Sequence, residues 1–168
     1  MSGAYGFGFG VSVRGTRRAG GAAPALMPLG ARLVFAGDSK FAVGSAPGMR
    51  SVQLQTVDRL AGRVRLAVAG DQAIGGNTIS QLAARISYTI SQQADMTIVG
   101  IGHNNMGSSS ATVIAALTSL HATLRAGLGS KVIIWTTVLP SARIGGGLYP
   151  ADNATLVAVN DWIMALDG

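Results

Sequence analysis

Four short apolar segments alternate with four segments of helical periodicity, and this alternation limits the folds that are open to the chain. The apolar segments are each about the length of one strand, at residues 33–36, 64–69, 96–101 and 131–138. The helical segments carry apolar residues three or four positions apart, at residues 49–61, 78–93, 110–126 and 151–166. Strands joined by helices pair in parallel through right-handed crossovers. The sequence therefore predicts an α/β domain with three α/β/α layers and a parallel, doubly wound, flavodoxin-like sheet.

The two ends of the chain set the predicted domain limits. Residues 1–30 contain eight glycines and three arginines without amphipathic periodicity, which predicts a flexible N-terminal tail that cannot fold alone. The domain is predicted over residues 31–168. Its fourth strand, rich in Val and Ile, is predicted to be fully buried. No fifth strand follows the last helical segment, so we expect the domain to be C-terminally incomplete.

The charge and composition exclude several function classes. The net charge is +6, but the basic residues are scattered and aromatic residues make up only 5%. We therefore expect no specific nucleic-acid partner. The chain has no cysteine and only two histidines, which argues against a metal site, and no cofactor is expected. Neither a signal peptide nor an apolar run of membrane-spanning length is recognised, so a cytoplasmic protein without a membrane span is the default expectation.

Glycines and polar residues follow the first three predicted strands. Ligands of such sheets bind beyond the carboxyl ends of the strands. Ser39, in Gly-Asp-Ser after the first strand, is a candidate nucleophile for acyl transfer. Candidate donors to an oxyanion are the backbone N–H groups of Ser39 and Gly76 and the side-chain amide of Asn104. Lys40 is either a group that attracts an anionic substrate or a plain surface lysine.

These segments resemble the SGNH hydrolases, also called GDSL hydrolases. The stretch Arg32–Ser39 is similar to the first block of that family, which contains the nucleophilic serine. Ile74–Thr78 and Ile101–Asn105 are similar to the second and third blocks, which supply a glycine and an asparagine to the oxyanion hole. Trp135–Pro140 resembles the next strand of the family, and the segment around Asn160 resembles the helix before its fifth strand.

The resemblance implies a serine esterase in which Ser39 forms an acyl-enzyme and Gly76 and Asn104 stabilise the oxyanion. The implied substrate is a small-molecule or carbohydrate ester, either an acetylated carbohydrate or a short-chain or lipid ester. The alternative is a catalytically inactive SGNH-like binding or structural module of a larger assembly. A nucleotide-binding flavodoxin-like domain fits the fold class, but the chain lacks a Gly-x-Gly-x-x-Gly or P-loop motif.

The sequence departs from the family pattern at two places. Asn105 stands where the family usually has aspartate, and the Asp-x-x-His block that supplies the base is missing. Three explanations remain open: the chain is a fragment, it is an inactive relative, or His103 serves as the base. Residues 146–150, Gly-Gly-Leu-Tyr-Pro, faintly resemble the surroundings of the missing block and would favour the inactive relative. His121 is predicted to have a structural or surface role.

Overall fold

The computed structural model describes residues 29–42, 52–60, 62–139 and 149–166. Four parallel strands form one sheet in the order β2-β1-β3-β4, with bounds β1 Ala31–Gly37, β2 Val64–Ala73, β3 Met96–Gly100 and β4 Val132–Trp135. Five α-helices connect or follow them: α1 Val52–Arg59, α2 Ile79–Ala83, α3 Ile86–Ser91, α4 Ser110–Leu128 and α5 Tyr149–Ala165. A single 3-10 turn covers His103–Asn105. The predicted fold class is confirmed.

Alternate residues of the central strand point into two different cores, which gives the three layers. Phe35 belongs to a cluster with Phe41 and residues of β2, against which Val57 of α1 packs. Its neighbour Ala36 belongs to a larger cluster on the other face, formed with α2, α3, α4 and α5. This alternation follows from the two-residue period of a strand. Because every residue of β1 except Arg32 is buried, the residues after it begin from a fixed position.

The prediction of a fully buried fourth strand is wrong. β4 spans only four residues, and Val132 and Ile134 are 43% and 38% exposed. They lie on the side of the sheet that carries α1, whereas Ile133 and Trp135 face the larger core. Among the described residues β4 pairs only with β3 and is therefore an edge strand. A run of Val and Ile indicates a strand but does not establish what covers each of its faces.

A side chain of α5 secures the segment that follows β4. The amide of Asn160 accepts a hydrogen bond from the Val138 N–H at 2.7 Å and donates one to the Val138 carbonyl oxygen at 2.9 Å. Trp135 meets Trp162 of α5 edge to face, with ring centroids 6.2 Å apart. Helix α5 thus holds this segment by one paired set of hydrogen bonds and by aromatic packing.

The second strand and the second helical segment also differ from their predicted forms. β2 continues through Asp71 to Ala73, although strand residues were predicted only to 69. Leu33 of β1 pairs with Leu66, and Phe35 pairs with Asp71, so residues 67–70 form a bulge opposite Val34. The predicted helix over 78–93 is divided into α2 and α3 at residues 84–85.

Helix α4 is long and apolar enough to cross a bilayer by length and composition alone. Its apolar side is nevertheless used within the domain, because five residues at helical spacing are buried: Val113, Leu117, Leu120, Leu124 and Leu128. These residues belong to the larger core, as predicted from their spacing. Such a stripe is typical of a helix that packs on a sheet.

The predicted domain limits stay a prediction. Residues 1–28 lie outside the described part of the chain, and the same holds for residues 140–148, which include most of the segment resembling the missing family block. Tyr149 and Pro150 begin α5.

Candidate active site

The first three strands end at the same level of the sheet. Gly37, the last residue of β1, pairs with Ala73 of β2 on one side and with Gly100 of β3 on the other. A Cβ atom on Gly37 would lie 2.0 Å from the Gly100 carbonyl oxygen, and one on Gly100 would lie 2.2 Å from the Phe41 ring. Only glycine fits at these two positions. Because glycine allows the strands to approach closely there, the segments that follow the three strands start close together.

Ser39 lies at the tip of a tight turn directly after β1. The Asp38 carbonyl oxygen accepts hydrogen bonds from the N–H groups of Phe41 and Ala42 at 3.1 and 3.2 Å. The Asp38 carboxylate accepts a further bond, at 3.1 Å, from the N–H of Lys40. Asp38 is only 1% exposed, whereas the Ser39 side chain is exposed to solvent. Asp38 therefore shapes the turn that presents Ser39, as its position in the sequence indicated.

A glycine turn after β2 lies beside Ser39. The N–H of Ile74 bonds to the Gly37 carbonyl oxygen at 3.1 Å, and the N–H of Asn77 bonds to the Ile74 carbonyl oxygen at 3.2 Å. Gly76, at the third position of this turn, has a φ of +78°, as in a type II turn. A Cβ on Gly75 would be 3.7 Å from the Ser39 Cβ, while a Cβ on Gly76 would meet nothing within 4 Å. Gly75 thus lies beside Ser39, near enough for an added Cβ to reach it, and Gly76 borders open space.

The turn after β3 brings Asn104 to the same place. Its side-chain Nδ2 donates to the Asn77 carbonyl oxygen at 2.8 Å, which places the amide next to the glycine turn. The neighbouring Asn105 accepts a bond from the N–H of Ile79, the first residue of α2, at 3.0 Å. That bond needs an acceptor oxygen, which an asparagine supplies as well as the aspartate usual in the family. The departure at Asn105 therefore leaves the turn intact.

Two residues that the sequence analysis did not single out hold the glycine turn in place. Arg85 donates to the Asn77 Oδ1 at 2.6 Å, to the Gln81 carbonyl oxygen at 2.9 Å and to the Gln72 carbonyl oxygen at 3.1 Å. Asn77 is 8% exposed and also donates its own Nδ2 to the Ile74 carbonyl oxygen at 2.9 Å. Arg85 lies between α2 and α3, so the break in the predicted helix is the place from which this side chain reaches the turn.

A buried glutamine joins the Ser39 turn to β2. Gln53 of α1 is fully buried, and its Nε2 donates to the Phe41 carbonyl oxygen at 2.5 Å and to Asp71 Oδ1 at 2.7 Å. Asp71 Oδ1 also accepts a bond from the N–H of Ala73 at 3.0 Å. Asp71 lies within β2, and its side chain links α1 to the end of this strand. No sequence pattern indicated Gln53, because the apolar residues on either side of it, Val52 and Leu54, are 46% and 40% exposed.

The two histidines have different surroundings. His103 lies in the 3-10 turn beside Asn104, partly exposed, with its Nδ1 buried. His121 of α4 accepts a 3.0 Å hydrogen bond at Nδ1 from the indole N–H of Trp135, the last residue of β4. Burial, followed by the positive charge of Arg125, holds the pKa of His121 below its usual value. His121 has the structural position that the sequence predicted.

The site therefore contains an exposed hydroxyl and two groups able to donate hydrogen bonds, held by three adjacent strand ends. Ser39 lies beside Gly75, and the Asn104 side chain is bonded to Asn77. The two side chains therefore lie next to the residues that precede and follow Gly76. Such an arrangement provides a nucleophile and donors for a developing oxyanion. No group of three or more acidic or histidine side chains that could hold a metal ion occurs in the described ranges.

No protein-family model matches the chain, and no curated protein matches it in sequence. Solved structures do match its fold. An acetylxylan esterase from Geobacillus stearothermophilus is 19% identical, with a TM-score of 0.61, over 82% of this chain and 74% of that one. A putative GDSL-like lipase from Parabacteroides merdae is 17% identical, with a TM-score of 0.62, over 81% and 74% of the two chains.

An alpha/beta hydrolase enzyme from the metagenome of Lake Arreo, Spain, is 21% identical, with a TM-score of 0.62, over 82% of this chain and 72% of that chain. Catalytic mutants of the Geobacillus esterase replace a serine, an aspartate or a histidine. The chain thus has the fold of the SGNH, or GDSL, hydrolases, and the resemblance inferred from its sequence is confirmed at the level of the fold.

Proposed function

We propose that this protein is a serine esterase that forms an acyl-enzyme at Ser39. The Ser39 oxygen attacks the carbonyl carbon of an ester and gives up its proton to a base, and the carbon–oxygen bond to the alcohol then breaks. Water attacks the acyl-serine in turn and releases the carboxylic acid. The backbone N–H groups of Ser39 and Gly76 and the amide of Asn104 stabilise the oxyanion in both steps.

The observation that carries the proposal is the approach of Ser39 and Asn104 to the two neighbours of Gly76. The positive φ of Gly76 and the open space beside it allow a substrate to come close to the backbone. An acetylated carbohydrate is one suitable substrate class, since an acetylxylan esterase shares the fold, and a short-chain or lipid ester is another.

Hydrolysis of p-nitrophenyl acetate by Ser39→Ala tests the nucleophile. We expect kcat/KM to fall by at least about 10³-fold, as is typical when a nucleophile is removed. The matched control is Ser130→Ala, which changes an exposed serine near the start of β4 and should keep full activity. A fluorophosphonate should label the wild-type protein once, at Ser39. Equal rates for the wild type and Ser39→Ala, without labelling, would overturn the proposal.

Asn104→Ala tests the oxyanion donor separately. A lost donor typically lowers kcat by about 10²- to 10³-fold, with a smaller change in KM. Asn104→Asp keeps the size of the side chain but replaces its N–H donors with an anionic oxygen, and it should be at least as slow. A kcat close to that of the wild type in both variants would remove Asn104 from the mechanism.

The base is tested by His103→Gln. His103 lies next to Asn104 at this edge of the sheet, whereas His121 is bonded to Trp135. If His103 is the base, His103→Gln should lose about as much activity as Ser39→Ala, because residues that act as a unit are not additive. Unchanged activity would exclude His103.

The second candidate function is a binding module without catalysis on the same scaffold. It is favoured by one observation: neither histidine of the chain is preceded three positions earlier by an aspartate. A serine without a base is a poor nucleophile at neutral pH. Binding of an acetylated xylo-oligosaccharide without any hydrolysis, measured by calorimetry and product analysis, would favour this function over the esterase.

A further inference from the structure

Lys40, the residue after Ser39, has a half-buried side chain whose ammonium group makes no direct ion pair with any described residue. Its backbone N–H bonds to the Asp38 carboxylate, but in the described part of the chain its ammonium group takes part in no hydrogen bond or ion pair. The only other lysine, Lys131, is also half-buried, but its ammonium donates to the Gln93 carbonyl oxygen at 2.7 Å. Among the residues that the structure describes, the protein thus supplies a hydrogen-bond acceptor to the ammonium group of Lys131 but none to that of Lys40.

The absence of a partner has an electrostatic consequence. Burial lowers the pKa of Lys40 from its usual value, and the negative charge of Asp38 acts in the opposite direction without cancelling that effect. A cation that is removed from water without hydrogen bonds is destabilised unless an anion completes its surroundings. An anion that enters from solvent would supply those bonds.

The other charged groups of the site make hydrogen bonds within the protein. The Asp38 carboxylate is buried, and its Oδ1 accepts the Lys40 N–H, whereas its Oδ2 has no hydrogen-bond partner in the described ranges. The Asp71 carboxylate accepts bonds from Gln53 and from the backbone. The guanidinium of Arg85 donates to three acceptors around the glycine turn. Lys40 is thus the cation beside Ser39 whose hydrogen bonds the described residues leave unused.

We propose that Lys40 forms an anion subsite next to Ser39, which makes the protein selective for esters that carry a carboxylate near the scissile bond. This inference rests on the proposed esterase function for its catalytic readout, but its binding readout does not. The carboxylate lies on either the alcohol part or the acyl part of the ester. Two pairs of substrates that differ only in charge distinguish these sources.

The first pair is 4-acetoxybenzoate and its methyl ester, with the charge on the alcohol part. The second pair is p-nitrophenyl hydrogen adipate and p-nitrophenyl methyl adipate, with the charge on the acyl part and too far from the ester to attack it readily. For at least one pair we expect the wild type to prefer the anionic ester in kcat/KM. Lys40→Met should lower this preference by at least about tenfold, as expected for a lost charge-assisted hydrogen bond. Lys40→Arg should retain part of it.

Lys131→Met is the matched control, because it removes the same charge from the opposite end of the sheet. It should leave both preferences unchanged if the effect is local, whereas an equal loss in both variants would mean that only the net charge matters. If Lys40→Met slows neutral and anionic esters equally, the role of Lys40 is only to offset the negative charge of Asp38 in the Ser39 turn. Either result would overturn the anion subsite.

A binding experiment keeps the inference testable if no ester is hydrolysed. In the Ser39→Ala background, calorimetry should show tighter binding of the anionic member of the pair than of its methyl ester. Adding Lys40→Met should remove the difference, and adding Lys131→Met should not. Equal binding of the charged and neutral members to Ser39→Ala would refute the anion subsite, whereas absent hydrolysis with selective binding would refute only the esterase.

Discussion

The carboxyl ends of β1, β2 and β3 are fastened differently from the end of β4. At the first three, side chains bond to the backbone of a neighbouring segment, as Asn104 does to Asn77, Asn105 to Ile79 and Gln53 to Phe41. Beyond β4, the Thr136 N–H bonds to the Val99 carbonyl oxygen, Asn160 makes one paired contact with Val138, and Trp135 packs on Trp162.

The difference follows from the chemical groups that each region positions. Hydrogen bonds fix the direction of a group as well as its distance, whereas apolar packing is non-directional. The first three strand ends carry the candidate nucleophile and donors, whose orientation determines whether an oxyanion is stabilised. The segment after β4 carries no candidate catalytic group, and a few hydrogen bonds together with aromatic packing keep it beside the others.

The largest effect is expected from Gly37→Ala, which tests the close approach of β1 and β3. The new Cβ would lie 2.0 Å from the Gly100 carbonyl oxygen, and neither backbone can yield without separating the strands. We expect the free energy of unfolding to fall by about 3 kcal/mol or more, which is at the upper end of the range that is typical of overpacked sites. Urea denaturation measures it.

Gly107→Ala serves as the control for this prediction. A Cβ on Gly107 would meet nothing within 4 Å, so the same substitution should be neutral or slightly stabilising, by about 0.4–1 kcal/mol through the unfolded state. A loss below about 1 kcal/mol for Gly37→Ala would contradict the strand contact on which the convergence of the three turns depends.

An intermediate effect is expected from Asn160→Ala, which tests the paired contact between α5 and the segment after β4. The substitution leaves the Val138 N–H and carbonyl groups without their side-chain partners. A group left unsatisfied in a partly buried place costs about 1–3 kcal/mol, which denaturation experiments should detect. Asp161→Ala changes an exposed neighbour on α5 and should have little effect. If both variants are equally stable, this region is held by packing alone.

The smallest effect is the contribution of His121 to the pH dependence of the free energy of unfolding. Its pKa in the folded protein is below the ordinary value of 6.5, so the unfolded chain binds a proton more readily. The contribution is therefore fully present above about pH 6.5 and is lost as the pH falls through the folded-state pKa. Protonation also removes the acceptor for the Trp135 indole.

His121→Gln should flatten this part of the stability profile, measured by urea unfolding at about pH 7.5 and about pH 5.5. NMR titration of the two imidazoles separates His121 from His103. A His121 pKa above that of an unstructured peptide would show that the imidazole is not held in the environment described.

The sequence predicted best those helices and strands that bury a continuous set of apolar residues in the hydrophobic core. The apolar run of β1 and the spacing of Val113, Leu117, Leu120 and Leu124 in α4 indicated both elements to within a few residues. The order of Gly-Asp-Ser, Gly-Gly and Asn104 along the chain was enough to place Ser39, Gly76 and Asn104 at one edge of the sheet. Strand ends of a parallel sheet meet there whatever the side chains around them.

What the sequence could not supply depends on contacts between distant residues. The extension of β2 depends on pairing with β1 and on the bond between Gln53 and Asp71, 18 positions apart. The break at Arg85 accompanies bonds to Gln72 and Asn77, which no helical period encodes. The exposure of β4 depends on which helices cover it, and the composition of a strand does not determine that.

The bulge in β2 has a consequence for how molecules meet one another in concentrated solution. Among the residues that the structure describes, β2 pairs only with β1 and is an outer strand, and residues 67–70 interrupt its row of backbone groups, with Val68 fully exposed. A Cβ on Gly70 would lie 2.9 Å from the Leu66 Cβ, so the bend itself requires glycine. A strand from another molecule could align with only three regular residues on either side of the bulge. This edge is thereby protected from the continuous strand addition that leads to amyloid-like stacking.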